Sequence, residues 1–274
     1  MLECTKEEFE DAKKRALDAS FSEFTSVSKP KALLVCGQPG AGKTYLVEHL
    51  RKENWAFVNG DTFRSFFPNI AKIKKEMGED YIEATRPFNG KMTEAMIEEL
   101  SNRKCNLIIE GTLRTTEVPI KTKNLLEAKG YDVALCVLVV RPEISYLRAK
   151  QRYADMKEAK LVPRKTDVSF QKSITDGLAK NVDYLYSTKE FKDIRLYKEV
   201  NKELTCVYSM KKTPRVNPSP MLQAYHEQKY TPREVKEIQA EFANTVSKEE
   251  MDKLFQGRVA RGIHRTSHSL DKSR

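Results

Sequence analysis

The chain has 274 residues, which suits one large α/β domain or one domain with an appendage. It is 39% hydrophobic and 32% charged, with a formal charge of +10 and a pI near 9.2. That surplus favours anionic partners (nucleotides, nucleic acid, phosphosugars or an acidic protein) without choosing among them. No apolar run approaches the roughly 18 residues that a membrane span needs, and the polar, acidic start MLECTKEEFE is unlike a secretory leader.

Residues 5–20 read as a helix, with Thr5 and Glu8 as a capping box and Phe9, Ala12 and Leu17 as its apolar stripe. Residues 32–36 (ALLVC) predict a buried strand bounded by Gly37, and Leu46, Val47 and Leu50 give helical spacing from Lys43 to about Lys52. WAFVN (55–59) is a second short strand. Residues 70–101 predict helix, with an interruption near Arg86-Pro87. LIIE (107–110) is a third strand ended by Gly111, and residues 119–129 are a helix stopping at Gly130. VALCVLVV (133–140) is the fourth strand, and helix is expected again over 143–160 and around Phe170, Ile174, Leu178, Val182 and Leu185. IRLYK (194–198) and TCVYS (205–209) predict a closing hairpin.

Strands alternating with helices imply a mostly parallel sheet with crossover helices, and strands apolar on both faces imply helices covering both sides. We expect one α/β domain over 1–210, including the N-terminal helix. Residues 211–274, which open with Pro214, Pro218 and Pro220, form a polar helical extension whose tail is expected to be partly disordered. The cysteines Cys4, Cys36, Cys105, Cys136 and Cys206 are odd in number and form no C-x-x-C. A reducing, cytoplasmic setting is therefore expected. Cys36 and Cys136, inside apolar runs, read as small buried hydrophobes.

Gly37-Gln38-Pro39-Gly40-Ala41-Gly42-Lys43-Thr44 matches G-x-x-x-x-G-K-[ST] in full, between a strand and a helix as the motif requires. Glycines allow the backbone to wrap an anion with inward N–H groups, and the helix N-terminus adds partial positive charge. Lys43 reaches the β- and γ-phosphates of ATP or GTP, and Thr44 offers its hydroxyl to Mg²⁺. The guanine-reading pattern N-K-x-D is absent, since Asn201-Lys202-Glu203-Leu204 lacks the aspartate. Asp61 follows the second strand, where it either takes the proton of an acceptor hydroxyl or caps a helix. Glu110 ends the third strand, where it either serves Mg²⁺ or the acceptor, or pairs with a lysine. Thr112 and Arg114 follow on the loop, at the sheet edge that a polar, anionic substrate would meet. Arg152, on one helical face with Arg148, and Arg164 in the next loop stand either as lid arginines that balance phosphoryl charge or as a solvated face.

Together GQPGAGKT, NGDTFRSFFPN, NGKMTEAMIEEL, NLIIEGTLRTTEVPI, LLEAKGYDV, QRYADM and FKDIRLY resemble the zeta toxin family, P-loop kinases of bacterial toxin–antitoxin systems, over about residues 30–210. The resemblance implies Mg²⁺-assisted transfer of the ATP or GTP γ-phosphate to the 3′-hydroxyl of the sugar of UDP-N-acetylglucosamine, blocking cell-wall precursor synthesis. It implies Lys43 as the loop lysine, Thr44 as the metal ligand and Asp61 as general base. Arg152 and Arg164 hold phosphates from a lid, and Glu94, Glu110, Thr112 and Arg114 bind the acceptor. It also implies a small helical antitoxin as partner, with neither membrane nor nucleic acid expected. The chain departs from the family at Gly60, where an asparagine is common, and over 71–90. A P-loop kinase of another hydroxyl (a polynucleotide end or another nucleotide) and a non-catalytic nucleotide-binding module are the alternatives.

Overall fold

The computed structural model describes residues 2–163, 166–200 and 203–260. Within 2–227 a six-stranded sheet runs in the order β2-β3-β1-β4-β5-β6. Its strands are β1 (Lys31–Cys36), β2 (Trp55–Val58), β3 (Asn106–Glu110), β4 (Asp132–Leu138), β5 (Ile194–Val200) and β6 (Glu203–Ser209). All neighbours pair in parallel except the β5–β6 hairpin. Each strand end lies within a few residues of its expected place. The fold is the expected α/β architecture with a mostly parallel sheet and helices on both faces.

Alternation along the central strands sends side chains to two separate cores. Ala32, Leu34 and Cys36 of β1 with Val133, Leu135 and Val137 of β4 face one side. Leu33 and Val35 with Ala134, Cys136 and Leu138 face the other. A strand buried on both faces therefore reads as one apolar run, because successive side chains point oppositely.

The first core is covered by α1 (Lys6–Phe21), α6 (Arg86–Asn102), α7 (Glu117–Ala128) and α9 (Val168–Ser187) through residues such as Phe21, Met92, Leu126 and Leu178. The Thr5–Glu8 capping box is present, and Ala12, Ala16, Leu17 and Phe21 are the buried side of α1. The second core is closed by α2 (Lys43–Leu50), through Leu46 and Val47, and by Ile144 of α8 (Pro142–Glu158). Cys36 and Cys136 are buried, as expected.

Between β2 and α6 lie the short helices α3 (Gly60–Phe63), α4 (Ile70–Met77) and α5 (Tyr81–Ala84). The interruption expected near Arg86-Pro87 falls at Thr85, with a second break at Gly78, and Pro87 stands in the first turn of α6. Proline starts a helix there without loss, since a first-turn N–H has no intrahelical partner. For the same reason Pro220 sits in the first turn of α10 (Ser219–Glu227), a helix not expected after the proline-rich change of composition; its Leu222 is buried.

The chain divides into two compact units, Met1–Glu227 and Gln228–Arg274. The described part of the second holds α11 (Pro232–Glu241) and α12 (Lys248–Phe255). Tyr230 pairs with Val259 and its ring meets Phe255 edge-on at 5.0 Å. The C-terminal tail expected to be partly disordered lies outside the described residues.

Candidate active site

Because β1 lies between β3 and β4, its outgoing loop opens into the crevice at the carboxyl ends of three parallel strands, where ligands of open α/β sheets bind. Residues 37–42 form that loop. Gly40 and Gly42 take φ values of 77° and 89°, which glycine adopts freely. A Cβ on Gly40 would lie 1.9 Å from the Ser145 carbonyl oxygen, so the loop is pressed against the backbone of α8. Gln38, fully buried, donates to the Val140 carbonyl at 2.7 Å and to Ser145 Oγ at 3.3 Å. Gln171 of α9 donates to the Pro39 carbonyl at 3.1 Å. Ala41 is buried, and Thr44 is exposed on the first turn of α2.

Lys43 is buried. Its ammonium donates to the carbonyls of Gly37 (3.0 Å) and Gln38 (3.2 Å) and lies 3.9 Å from Glu110 Oε1. Burial lowers its pKa and the Glu110 carboxylate opposes that shift; Arg152 and Asp61 also act on it, in opposite senses. Lys43, Glu110, Arg152 and Asp61 thus share one electrostatic neighbourhood.

Glu110 is paired with a lysine, as its structural alternative supposed, and that lysine belongs to the phosphate loop itself. The other Glu110 oxygen accepts from Asn59 Nδ2 at 3.3 Å. Asn59 Oδ1 accepts from the backbone N–H of Asp61 at 2.9 Å. The helix cap at this strand end is therefore Asn59, and Asp61 sits in the first turn with its carboxylate accepting from Arg64. Gly60 abuts α6: a Cβ there would stand 2.9 Å from Thr93 Oγ1 and 3.3 Å from Asn89 Nδ2.

Glu94 and Arg114 take partners outside this chain of contacts. Glu94, exposed on α6, pairs with Lys121 of α7 at 3.1 Å. Thr112 is half-buried on the loop after β3, and Arg114 lies over the Phe170 ring at 5.4 Å. Asn181 of α9 pins that loop by donating to the carbonyls of Leu113 (2.9 Å) and Arg114 (3.0 Å). Arg152 donates to Thr166 Oγ1 at 3.2 Å. Arg164 lies outside the described residues, as do Asn201 and Lys202 of the incomplete guanine-reading pattern.

Sequence reasoning assigned no role to Asn59, Arg64, Gln171 or Asn181. Asn59 and Arg64 flank Asp61 in the quoted stretch, and that adjacency was the available signal. For Gln171 and Asn181 no local signal exists.

Beside the loop an open groove of about 210 Å³ runs between Gly42, Tyr45, Leu138 and Leu204, with Arg148 and Glu199 paired across it at 3.0 Å. Thr44 and Glu110 offer a hydroxyl and a carboxylate. Such hard oxygen donors suit Mg²⁺, which takes few protein ligands and fills its shell with water and phosphate oxygens.

A phosphate loop of this sequence, on this sheet, with an acid at the neighbouring strand end, defines a kinase-like P-loop fold. A family model described as Zeta toxin matches residues 13–213. The Streptococcus agalactiae protein Toxin zeta is 34% identical over 235 residues, covering 84% of this chain and 81% of that protein. Toxin PezT of Streptococcus pneumoniae serotype 4 is 36% identical over 215 residues, covering 76% and 82%. The chain belongs to the zeta toxin family.

A solved structure from the PezAT chromosomal toxin–antitoxin system of Streptococcus pneumoniae superposes with a TM-score of 0.76 at 32% identity, over 93% of this chain and 98% of that one. The AvrRxo1-ORF1:-ORF2 complex with ATP superposes at 0.53 with 14% identity, over 93% and 84%, a likeness of fold alone. Among the described residues no helix is long and apolar enough to cross a membrane.

Proposed function

We propose that this chain is the kinase toxin of a toxin–antitoxin pair and moves the γ-phosphoryl group of ATP or GTP to the 3′-hydroxyl of the sugar in UDP-N-acetylglucosamine. The observation that carries the reading is the continuous polar chain Lys43–Glu110–Asn59–Asp61. The loop lysine is linked through Glu110 and the Asn59 amide to the backbone of Asp61, whose carboxylate is the proposed base. A module that only binds nucleotide has no use for the second carboxylate.

In this reading the loop N–H groups and Lys43 hold the triphosphate. Asp61 takes the proton of the acceptor hydroxyl, whose oxygen forms the new bond to the γ-phosphorus as the bond to the β-phosphate oxygen breaks. Arg152 and Arg164 balance the charge on the moving group. Glu94, Glu110, Thr112 and Arg114 hold the sugar nucleotide, and the apolar groove beside Tyr45 takes the donor base. Thr44 would hold Mg²⁺, which supplies further charge neutralisation on the phosphates when bound. The cysteine usage fits a reducing cytoplasm. The antitoxin follows from the family and from the PezAT system.

The test is incubation with Mg-ATP or Mg-GTP and a panel of UDP-sugars, nucleotides and oligonucleotides. Mass spectrometry reads which acceptor gains about 80 mass units, one phosphoryl group in place of a proton. UDP-N-acetylglucosamine is expected to gain it, and Asp61→Asn to abolish the gain while ATP still binds. Modification of oligonucleotide ends instead, with steep salt dependence, establishes the polymer alternative. Unchanged transfer by Asp61→Asn removes the assigned base.

A further inference from the structure

Helix α8 is fastened at its near end. Gln38 and Gln171 bond around Ser145, and Gly40 lies against the Ser145 carbonyl. About two turns on, the helix carries Arg152, which acts electrostatically on Lys43. The next residue, Tyr153, donates its phenol hydroxyl to Glu79 Oε1 at 2.6 Å, across 74 positions of sequence. Glu79 belongs to the segment between β2 and α6, on the Asp61 side of the crevice.

Within that segment α4 is lightly held, whereas α5 is anchored by buried Tyr81 and Ala84. α4 has no buried residue, and only Ile70 and Ile73 pack partly against the core. Gly78 has φ 54° and ψ −129° with open space where a Cβ would stand, so glycine is needed there for the turn and not for room. The turn presents Glu79 to α8.

We propose that Glu79 and Tyr153 form a clasp that ties the acceptor-side segment 70–84 to helix α8 and so positions Arg152 over the phosphate loop. The inference rests on the phosphoryl-transfer reading above. Both members are positioning residues, since neither needs to touch the reacting atoms. The bond ties the turn that follows the lightly packed α4 to a helix fixed on the donor loop, so closing it excludes water from the space between. The bond also raises the phenol pKa, which keeps the hydroxyl protonated as a donor.

The experiment compares Tyr153→Phe, Glu79→Ala, Glu79→Gln and the Tyr153→Phe/Glu79→Ala pair in the full chain. Tyr153→Phe and Glu79→Ala should each lower kcat for transfer about tenfold, the scale of one charge-assisted hydrogen bond, with the ATP Kd unchanged. ATP hydrolysis without transfer should rise. Glu79→Gln, whose amide oxygen still accepts, should restore most of the rate, and the double variant should be no worse than either single. Amide exchange read by mass spectrometry should quicken together in 78–84 and 150–158 on losing the phenol hydroxyl.

Wild-type kcat and exchange in Tyr153→Phe, or additive losses in the double variant, overturn the clasp. If the unmodified protein phosphorylates no acceptor, the functional reading has failed. The clasp is then judged separately: coupled exchange with raised ATP hydrolysis in Tyr153→Phe sustains it, and no change in either overturns it.

Discussion

Asn59 donates its side-chain amide to Glu110 across 3.3 Å, and with its oxygen it caps the backbone N–H of Asp61. One amide thus sets the relative position of two carboxylates that lie 49 residues apart in sequence, by the difference of their numbers. Asn59→Ala should cost about 1 kcal/mol of stability through the lost cap, and transfer should fall because Glu110 loses a fixed partner and the turn that carries Asp61 loses its cap. Asn59→Asp keeps the cap but sets a carboxylate against Glu110. Its melting temperature should stay nearer the parent than that of Asn59→Ala, while its transfer rate falls at least as far. Paired thermal melts and rate measurements check the separation.

Gly60 leaves no room for a side chain beneath α6. Gly60→Ala should destabilise by about 1–3 kcal/mol, the usual scale of overpacking, and displace Asp61. The clash is with Thr93 Oγ1 at 2.9 Å. Thr93→Ala in the same chain should therefore recover most of the stability. Denaturant unfolding of the two single variants and the double measures the coupling. A double variant as unstable as the sum of the singles would place the strain elsewhere.

Gly40→Ala is expected to be the more damaging glycine substitution. The new Cβ meets a backbone carbonyl at 1.9 Å, which cannot swing aside as a side chain can, and φ is 77°. Loop and α8 must separate. ATP binding should be lost in calorimetry, with a fall in melting temperature larger than for Gly60→Ala.

Burial pushes the thiols of Cys36 and Cys136 up to about 12 from an ordinary value of 9.0. A raised folded pKa contributes stability that is whole below pH 9.0 and is lost between there and about 12, as the unfolded chain releases protons that the folded chain keeps. The slope is about 1.4 kcal/mol per pH unit for each such thiol. Cys136→Ala should flatten the alkaline decline measured by urea unfolding. In the native protein at pH 8, an alkylating reagent should label the exposed Cys206 and spare Cys36 and Cys136, as peptide mapping would show.

The phosphate loop was legible in sequence because its chemistry is local. Eight consecutive residues carry the left-handed glycines, the lysine and the hydroxyl, and the strand and helix on either side follow from short-range apolar spacing. The two-sided sheet was legible for a similar reason, since four apolar runs cannot each be covered on one face alone. What the sequence left open were contacts between distant positions. The helix-cap reading of Asp61 fell only because Asn59 holds the cap. For Glu110 the lysine pair is seen, and its partner is the loop lysine 67 positions away by the difference of their numbers.

The need for glycine at 60 lies in Thr93, the loop's close seat lies in Ser145, and the reach of Glu79 to Tyr153 spans 74 positions. Propensity and periodicity report which residues share a strand or a helix face. Which side chains from separate elements come within hydrogen-bonding distance is decided by how sheet and helices pack, and tertiary structure alone determines that.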